Sequence, residues 1–465
     1  MSTLIKNGTI VTASDQYVAD IHIEGECISA IGDCRVRDAR TTIDARGKYV
    51  FPGGIDGHVH LGQISSRGTN TTGFETTTAA LAGGTTTVIA FSPQYDGMGL
   101  LNSSIKYREE QIEGKTAVDF SVHALITDPR DEVFEEFPEL INAGISTVKH
   151  FMALKGTPFH SDDATIFKSL RRAKKVGMLT MVHAENSDII NTLQQEFIEE
   201  GKIEPEYHAA SHPVVSEEEA TVRATLLAKA ADSPIFVVHV SCAEAMLRVR
   251  EARENGTTVL SETCPHYLTL TKDSLSLPNF EGAKYVCAPP LRSARHQRHL
   301  WKALEEGWIQ VVGSDHCAFN FKGQKEMGRE NFIKIPNGLP GMENRLSILY
   351  THGYRKNKIS LARMVDVWAT APAKLYGLYP QKGSIQVGAD ADLVIFDPEY
   401  EGRISVENSL QGIDYNPYES FEQKGRPEKV FLRGKLTFDS GKFVGQIGQG
   451  KFLKRAPSAL AYPNI

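Results

Sequence analysis

Nowhere in this chain do about 18 apolar residues run together, so no membrane-spanning helix is expected. The opening residues, Met1-Ser2-Thr3-Leu4-Ile5-Lys6-Asn7-Gly8, lack the basic-then-apolar pattern of a secretory leader, and the expected setting is cytoplasmic. Long basic runs are also missing, and the formal net charge of -6 argues against a dominant nucleic-acid footprint. The six cysteines show neither a CxxC pair nor a disulfide-like framework, which leaves free thiols. No repeat of solenoid period and no low-complexity segment occurs. What remains is a large core suited to small-molecule chemistry. At 465 residues the chain exceeds one ordinary domain. A barrel of roughly 250 residues or more plus a smaller unit accounts for that length.

Short alternating stretches punctuated by Gly and Asp turns fill residues 4–50 and return at 391–396 and 429–436. They predict one β unit built from both termini. Between them, strand-length apolar runs alternate with stretches of helical period, the pattern of βα units on a parallel sheet. Eight such runs stand out, at 55–61, 85–91, 118–126, 146–151, 179–183, 235–240, 257–262 and 309–314. Eight strands close a (β/α)8 TIM barrel. The expected fold is therefore α/β, a TIM barrel with a smaller β-sandwich from the N- and C-terminal segments. The expected divisions are 1–52 and 381–440 for the sandwich, 53–380 for the barrel and 441–465 for a tail. Helical spacing of Ile166, Phe167, Leu170, Ala173 and Val176 predicts a helix over 164–176. Ser216 followed by Glu219 reads as a capping box opening another. The segment Ala80-Leu81-Ala82-Gly83-Gly84 reads as a helix end feeding the second strand.

Barrel active sites lie at the C-terminal strand ends, and six chemically apt residues fall there. His58 and His60 end the first run, Lys149 lies late in the fourth, His183 ends the fifth, His239 the sixth, and Asp315 follows the eighth. One such histidine is most simply a hydrogen-bonded core residue; six convergent positions describe a two-metal hydrolytic site. Lysine is the odd member, because an ammonium beside divalent ions is repelled and costly to bury. Burial and nearby metal depress a lysine pKa. A neutral amine can add carbon dioxide, giving a carbamate whose two oxygens can bridge two ions. Imidazole and carboxylate donors without thiolate suit Zn²⁺, though Mn²⁺, Co²⁺, Fe²⁺ or Ni²⁺ fit the same set.

Several segments carry a resemblance: Asp56-Gly57-His58-Val59-His60, Thr147-Val148-Lys149-His150-Phe151-Met152-Ala153, Val182-His183-Ala184-Glu185-Asn186 and Gly313-Ser314-Asp315-His316-Cys317. To these add Glu262-Thr263-Cys264-Pro265, Ala288-Pro289-Pro290-Leu291-Arg292, Lys334-Ile335-Pro336-Asn337-Gly338 and Gly388-Ala389-Asp390-Ala391-Asp392-Leu393. Together they are similar to the cyclic amidohydrolases of the dihydropyrimidinase and D-hydantoinase family. The resemblance covers essentially the whole chain. It implies that His58, His60 and Asp315 bind one ion, that His183 and His239 bind the other, and that Lys149 bridges them as N6-carboxylysine. Spacing alone does not assign those pairs. It further implies that a metal-bridging hydroxide attacks the ring carbonyl of a dihydropyrimidine or 5-substituted hydantoin, yielding an N-carbamoyl amino acid. Asp315 is then the catalytic residue that passes the proton to the leaving nitrogen. Backbone at Ala288 and Asn337 is expected to grip the cyclic amide-imide edge. Similar proteins are homodimers or homotetramers, with the tail reaching a neighbour, and residues 448–465 stand where that tail would be.

One position departs from the family pattern. Where the family has a tyrosine whose hydroxyl helps hold the oxyanion at the substrate, this chain has Leu154, which cannot donate a hydrogen bond. Tyr95, His150 and Arg67 are the replacement donors to weigh. Other substrates stay open, namely allantoin and succinimide-like rings. A mononuclear deaminase on the same fold is disfavoured by Lys149. The non-enzymatic scaffold relatives, the collapsin response mediator proteins, lose metal ligands, whereas every metal position is present here. Gly114-Lys115-Thr116 precedes a strand rather than following one and is no phosphate loop. Cys242, Cys264 and Cys317 read as small buried residues rather than nucleophiles. His266 and His316 read as packing or supporting histidines rather than ligands.

Overall fold

The structure is a computed structural model that describes residues 2–34 and 39–458. The apolar runs form eight parallel strands, each paired with its neighbour in chain order: Gly54–Val59, Thr85–Pro93, Asp119–Leu125, Thr147–Phe151, Leu179–His183, Ile235–Val237, Val259–Thr263 and Val311–Val312. The first and eighth strands meet at a parallel bridge between Val59 and His316. There His60 N donates to His316 O at 2.7 Å and His316 N to His58 O at 3.3 Å. That seam closes the TIM barrel. Alternation then decides which residues face inward. Ile55, Ile89, Phe91, Met181, Phe236, Leu260 and Val311 fill the interior as one buried cluster. Gly57 is required by that filling: a Cβ there would run into the Tyr376 ring.

Several strands stop earlier than their apolar runs implied, and the sixth and eighth do so near a left-handed residue. The sixth ends at Val237 and the eighth at Val312. The cause is local, because His239 and Asp315 adopt φ of 41° and 48°. A left-handed residue leaves the ladder, and one bearing a Cβ keeps that shape only where its surroundings over-determine it. Both side chains are thereby turned into the barrel mouth.

The helix over 164–176 forms as Asp163–Val176, with the Asp162 carboxylate accepting from Thr165 N at 2.8 Å and Gly177 ending it at φ 71°. Its buried face is Ile166, Leu170 and Ala173. The helix Thr78–Ala82 with Gly83 at its C-terminus feeds the second strand as expected. The capping box does not form. The helix begins earlier, at Val214 after Pro213, so Ser216 lies inside it and its hydroxyl donates back to Pro213 O at 2.8 Å. Glu219 instead bonds Asn186 and Arg223.

The terminal segments join in one mixed sheet. Tyr49–Pro52 pairs antiparallel with Leu393–Arg403, joining the N-terminal strands to a C-terminal run that continues through Glu422–Leu432 and Lys435–Asp439. A buried ion cluster ties this sheet to the barrel. Lys382 Nζ lies 2.6 Å from Asp119 Oδ2, 2.9 Å from Asp390 Oδ2 and 2.7 Å from Asp392 Oδ2, and Arg433 pairs with Asp119. Beyond the sheet the chain returns along the third barrel strand: Leu453 N donates to Phe120 O at 2.7 Å and the buried Arg455 bonds Ser121, Val122 and Thr147. Residues 459–465 of the expected tail lie outside the described residues. Among the described residues no helix is long and apolar enough to cross a membrane.

Candidate active site

The six strand-end residues meet at one mouth. His58 Nε2 lies 3.1 Å and His60 Nε2 3.5 Å from Asp315 Oδ1. His183 Nδ1 faces His239 Nε2 at 2.9 Å. The two groups adjoin, with the His58 and His239 rings 5.3 Å apart. Lys149 points into the barrel between the aromatic faces of Phe91 and Phe151, its Nζ 4.9 Å from each ring centre. That nitrogen is fully buried and has no hydrogen-bond acceptor among the described residues.

Hydrogen bonds on the outer side of the rings decide what the inner nitrogens offer. His58 Nδ1 lies 2.5 Å from Glu262 Oε1, His60 Nδ1 3.1 Å from Gln63 Oε1, and His183 Nε2 2.8 Å from Glu185 Oε2. Each outer nitrogen can thus carry a proton and donate, which turns the inner nitrogen toward the shared space. Three inward nitrogens then converge with the Asp315 carboxylate and His239. Something positive must sit among such groups in a buried site, a proton or a cation, and a cation would make them ligands. The donor atoms of His58, His60 and Asp315 all lie within 4.8 Å of one another, a span that one ion can occupy.

With no cation in place, the charges of the cluster are balanced by protons instead. Burial pushes the Lys149 amine down to about 8, against the opposing pull of Asp315 and Glu262. Burial also disfavours a charged His58, but the Glu262 and Asp315 carboxylates outweigh it and raise the imidazole to about 9. Burial pushes the Asp315 carboxyl up, while His58 and His60 overcome that and hold it well below the usual carboxylate range. Burial, with His183 and Lys149 nearby, keeps His239 neutral.

A cavity opens from this cluster, lined by Leu154, Ala288, Asn337 and Gly338 together with His60, His183, His239 and Asp315. The wall segments around Ala288 and Asn337 are fastened by a buried lysine. Lys325 Nζ donates to Val286 O at 2.8 Å, Pro336 O at 2.8 Å and Gly338 O at 2.7 Å, and Gly338 N donates to Val286 O at 3.0 Å. One side chain thus sets the distance between both segments. Leu154 holds φ at 64° and adds only apolar surface. Of the three replacement donors weighed for it, Arg67 lines this cavity, whereas Tyr95 and His150 do not. His150 follows the strand's alternation to the opposite face from Lys149, where its Nδ1 meets Ser161 Oγ at 2.9 Å.

Sequence reasoning assigned no role to Glu262, Glu185, Lys325 or the pair Arg292–Glu217, which joins at 2.8 Å. Glu262 and Glu185 carried a signal, since each sits on or just past a strand end beside a proposed ligand. Lys325 carried none, because its three partners are backbone carbonyls. Burial raises the Cys242 and Cys264 thiols well above their ordinary range, so neither is a ready thiolate nucleophile. His316 serves the barrel seam, and burial lowers it to about 4.

A family model described as the amidohydrolase family matches residues 49–437. The chain is 48% identical over 458 residues to a D-hydantoinase of Geobacillus stearothermophilus, covering 98% of this chain and 97% of that one. Against a D-hydantoinase of Ralstonia pickettii the identity is 46% over 456 residues, with 98% and 99% covered. The solved dihydropyrimidinase of Brevibacillus agri superimposes with a TM-score of 0.97 at 47% identity, covering 99% of this chain and 100% of that one. An L-hydantoinase of Arthrobacter aurescens superimposes with a TM-score of 0.89 at 31% identity, over 97% and 99% of the two chains.

Proposed function

The chain belongs to the amidohydrolase family, among the cyclic amidohydrolases that open hydantoin and dihydropyrimidine rings, and we propose that His58, His60, Lys149, His183, His239 and Asp315 hold its metal ions. The observation that carries this reading is the convergence of inward imidazole nitrogens and one carboxylate beside a buried amine without a partner among the described residues. The donor set fits the group: imidazole and carboxylate without thiolate suits a pair of Zn²⁺ ions. Lys149 completes it as a carbamate, because an amine lowered to about 8 has a nucleophilic free-base fraction near neutral pH. Such ions, when bound, polarise a carbonyl oxygen and lower the pKa of water to roughly 7.

The chain's own residues do the rest. Glu262, Gln63 and Glu185 hold the imidazole tautomers. Asp315, beside both His58 and His60, is placed to take a proton at its free carboxylate oxygen and release it to the leaving ring nitrogen. Backbone at Ala288 and Asn337 presents the fixed polar edge that a cyclic amide-imide pairs with, and Lys325 keeps that edge at constant spacing. Phe151 and Leu154 limit water around the ring.

A substrate panel tests this: dihydrouracil, a 5-substituted hydantoin, succinimide and allantoin, each with and without chelator. Turnover of hydantoin or dihydrouracil that vanishes on chelation and returns with zinc is the expected result. Zinc-loaded protein that opens none of these rings, or opens them equally well in excess chelator, contradicts the reading.

A further inference from the structure

The loop 62–72 brings to the cavity a positive charge with no acid beside it among the described residues. Gly62 N donates to Thr72 O at 2.8 Å, Thr71 N to Gln63 O at 2.9 Å and Ser65 N to Thr69 O at 2.8 Å. Gln324 Nε2 fastens the loop from outside, at Thr69 Oγ1 and Asn70 O, 2.8 and 2.9 Å away. At the turn of this short hairpin Gly68 takes φ 75°, and Arg67 reaches the cavity wall shared with Ser65, Asn191 and Gln194. Arg67 Nε is buried with no acceptor among the described residues. Burial alone lowers the guanidinium's pKa, and no carboxylate opposes it.

The other charges in the wall are committed. Asp315 faces His58 and His60, Glu185 binds His183, and Lys155 Nζ pairs with Asp188 at 2.7 Å. Arg67 has no such acid partner among the described residues. Its charge is felt by His208, which donates to Cys287 O behind the Ala288 segment. The leading charges on His58, His60, His239 and Asp315 come instead from one another, Glu262, His183 and Lys149. A guanidinium carried on a fastened loop, lining the cavity and lacking an acid, suits the planar fork of a carboxylate.

We propose that Arg67 forms an anion subsite for the ring substituent, so that the ring this protein prefers carries a carboxylate on that substituent. The proposal rests on the ring-opening reading above and adds the substrate class. Because the loop is already pinned, little ordering is needed on binding.

Two rings of similar size test it: hydantoin-5-acetic acid, which is anionic, and 5-isobutylhydantoin, which is neutral. Each is assayed by kcat/KM and by calorimetric affinity on zinc-loaded wild type, Arg67→Met and Arg67→Lys. Wild type is expected to favour the anion by about tenfold or more, Arg67→Met to bring that ratio within about twofold of unity, and Arg67→Lys to keep part of it. Added salt should erode the wild-type preference. A wild type that favours the neutral ring or neither, or an Arg67→Met ratio equal to wild type, overturns the subsite. Should neither ring be opened, the reaction reading fails, and the affinity ratio still decides the subsite by the same criteria. Should Arg67→Met not fold, Arg67→Lys and the salt dependence of wild type decide it.

Discussion

Lys149 in the barrel mouth and Lys382 under the terminal sheet are both essentially inaccessible to solvent, yet their surroundings are opposite. Lys382 has three carboxylates within 2.9 Å, and those partners outweigh burial to raise its pKa above the ordinary lysine value. Lys149 has no acceptor among the described residues and is pushed down to about 8. A buried ammonium with matched acids is a structural rivet, whereas a buried amine without them is tolerable only when neutral or chemically altered. The contrast separates two kinds of buried polarity: one completed by the protein alone, and one that needs something from outside.

Breaking each lysine in turn should give opposite outcomes. Lys149→Met is expected to lower kcat/KM by about a thousandfold or more, because metal-supplied stabilisation of developing charge is lost. Its metal-free melting temperature should be unchanged or higher, since an unpaired buried amine is removed. Next in size, Lys382→Met should cost roughly 3–5 kcal/mol in denaturant unfolding, because Asp392 is left buried without its cation while Asp119 keeps only that of Arg433. Activity per folded molecule should survive. The same ion cluster sets a pH dependence. Lys382's folded pKa is raised, so its contribution is full below the unfolded lysine value near 10.4 and is lost as pH climbs through the higher folded value. An alkaline fall in stability that Lys382→Met shares unchanged would assign that fall to other groups. Equal stability losses in both variants would erase the contrast itself.

Smaller effects sharpen it. Glu262→Gln keeps the shape but weakens the acceptor that fixes the His58 tautomer, and metal affinity or activity should drop about 10–100-fold. Zinc titration checks this, and unchanged affinity would remove Glu262 from the account. Lys325→Met unfastens the two wall segments from each other and should raise KM roughly fivefold to tenfold while kcat moves less, since about 1 kcal/mol is a typical worth of one lost buried hydrogen bond. An effect confined to kcat would place Lys325 elsewhere in the reaction.

Much of this was legible in the residues. Eight apolar runs became eight barrel strands because side-chain period and burial act locally. All six strand-end residues meet at one mouth because the barrel brings every strand end to the same face. What escaped depends on contacts distant in the chain or on backbone. Left-handed turns at His239 and Asp315 shortened two strands, since tertiary packing over-determines those residues. The early start of the helix Val214–Ala231 followed Pro213, whose fixed φ suits a helix entry, and overrode the Ser216 cap. Lys325 reads only backbone carbonyls, which leave no mark on side-chain pattern. Arg67 was one of three candidates, and only loop geometry singles it out.

The central claim is that Lys149 joins two ions in one centre, and metal content measures it directly. Wild type purified with zinc and bicarbonate should carry about two ions per chain, and Lys149→Met about one or fewer. Wild type with less than about half an ion per chain, or a variant that binds as much zinc as wild type, would contradict the account.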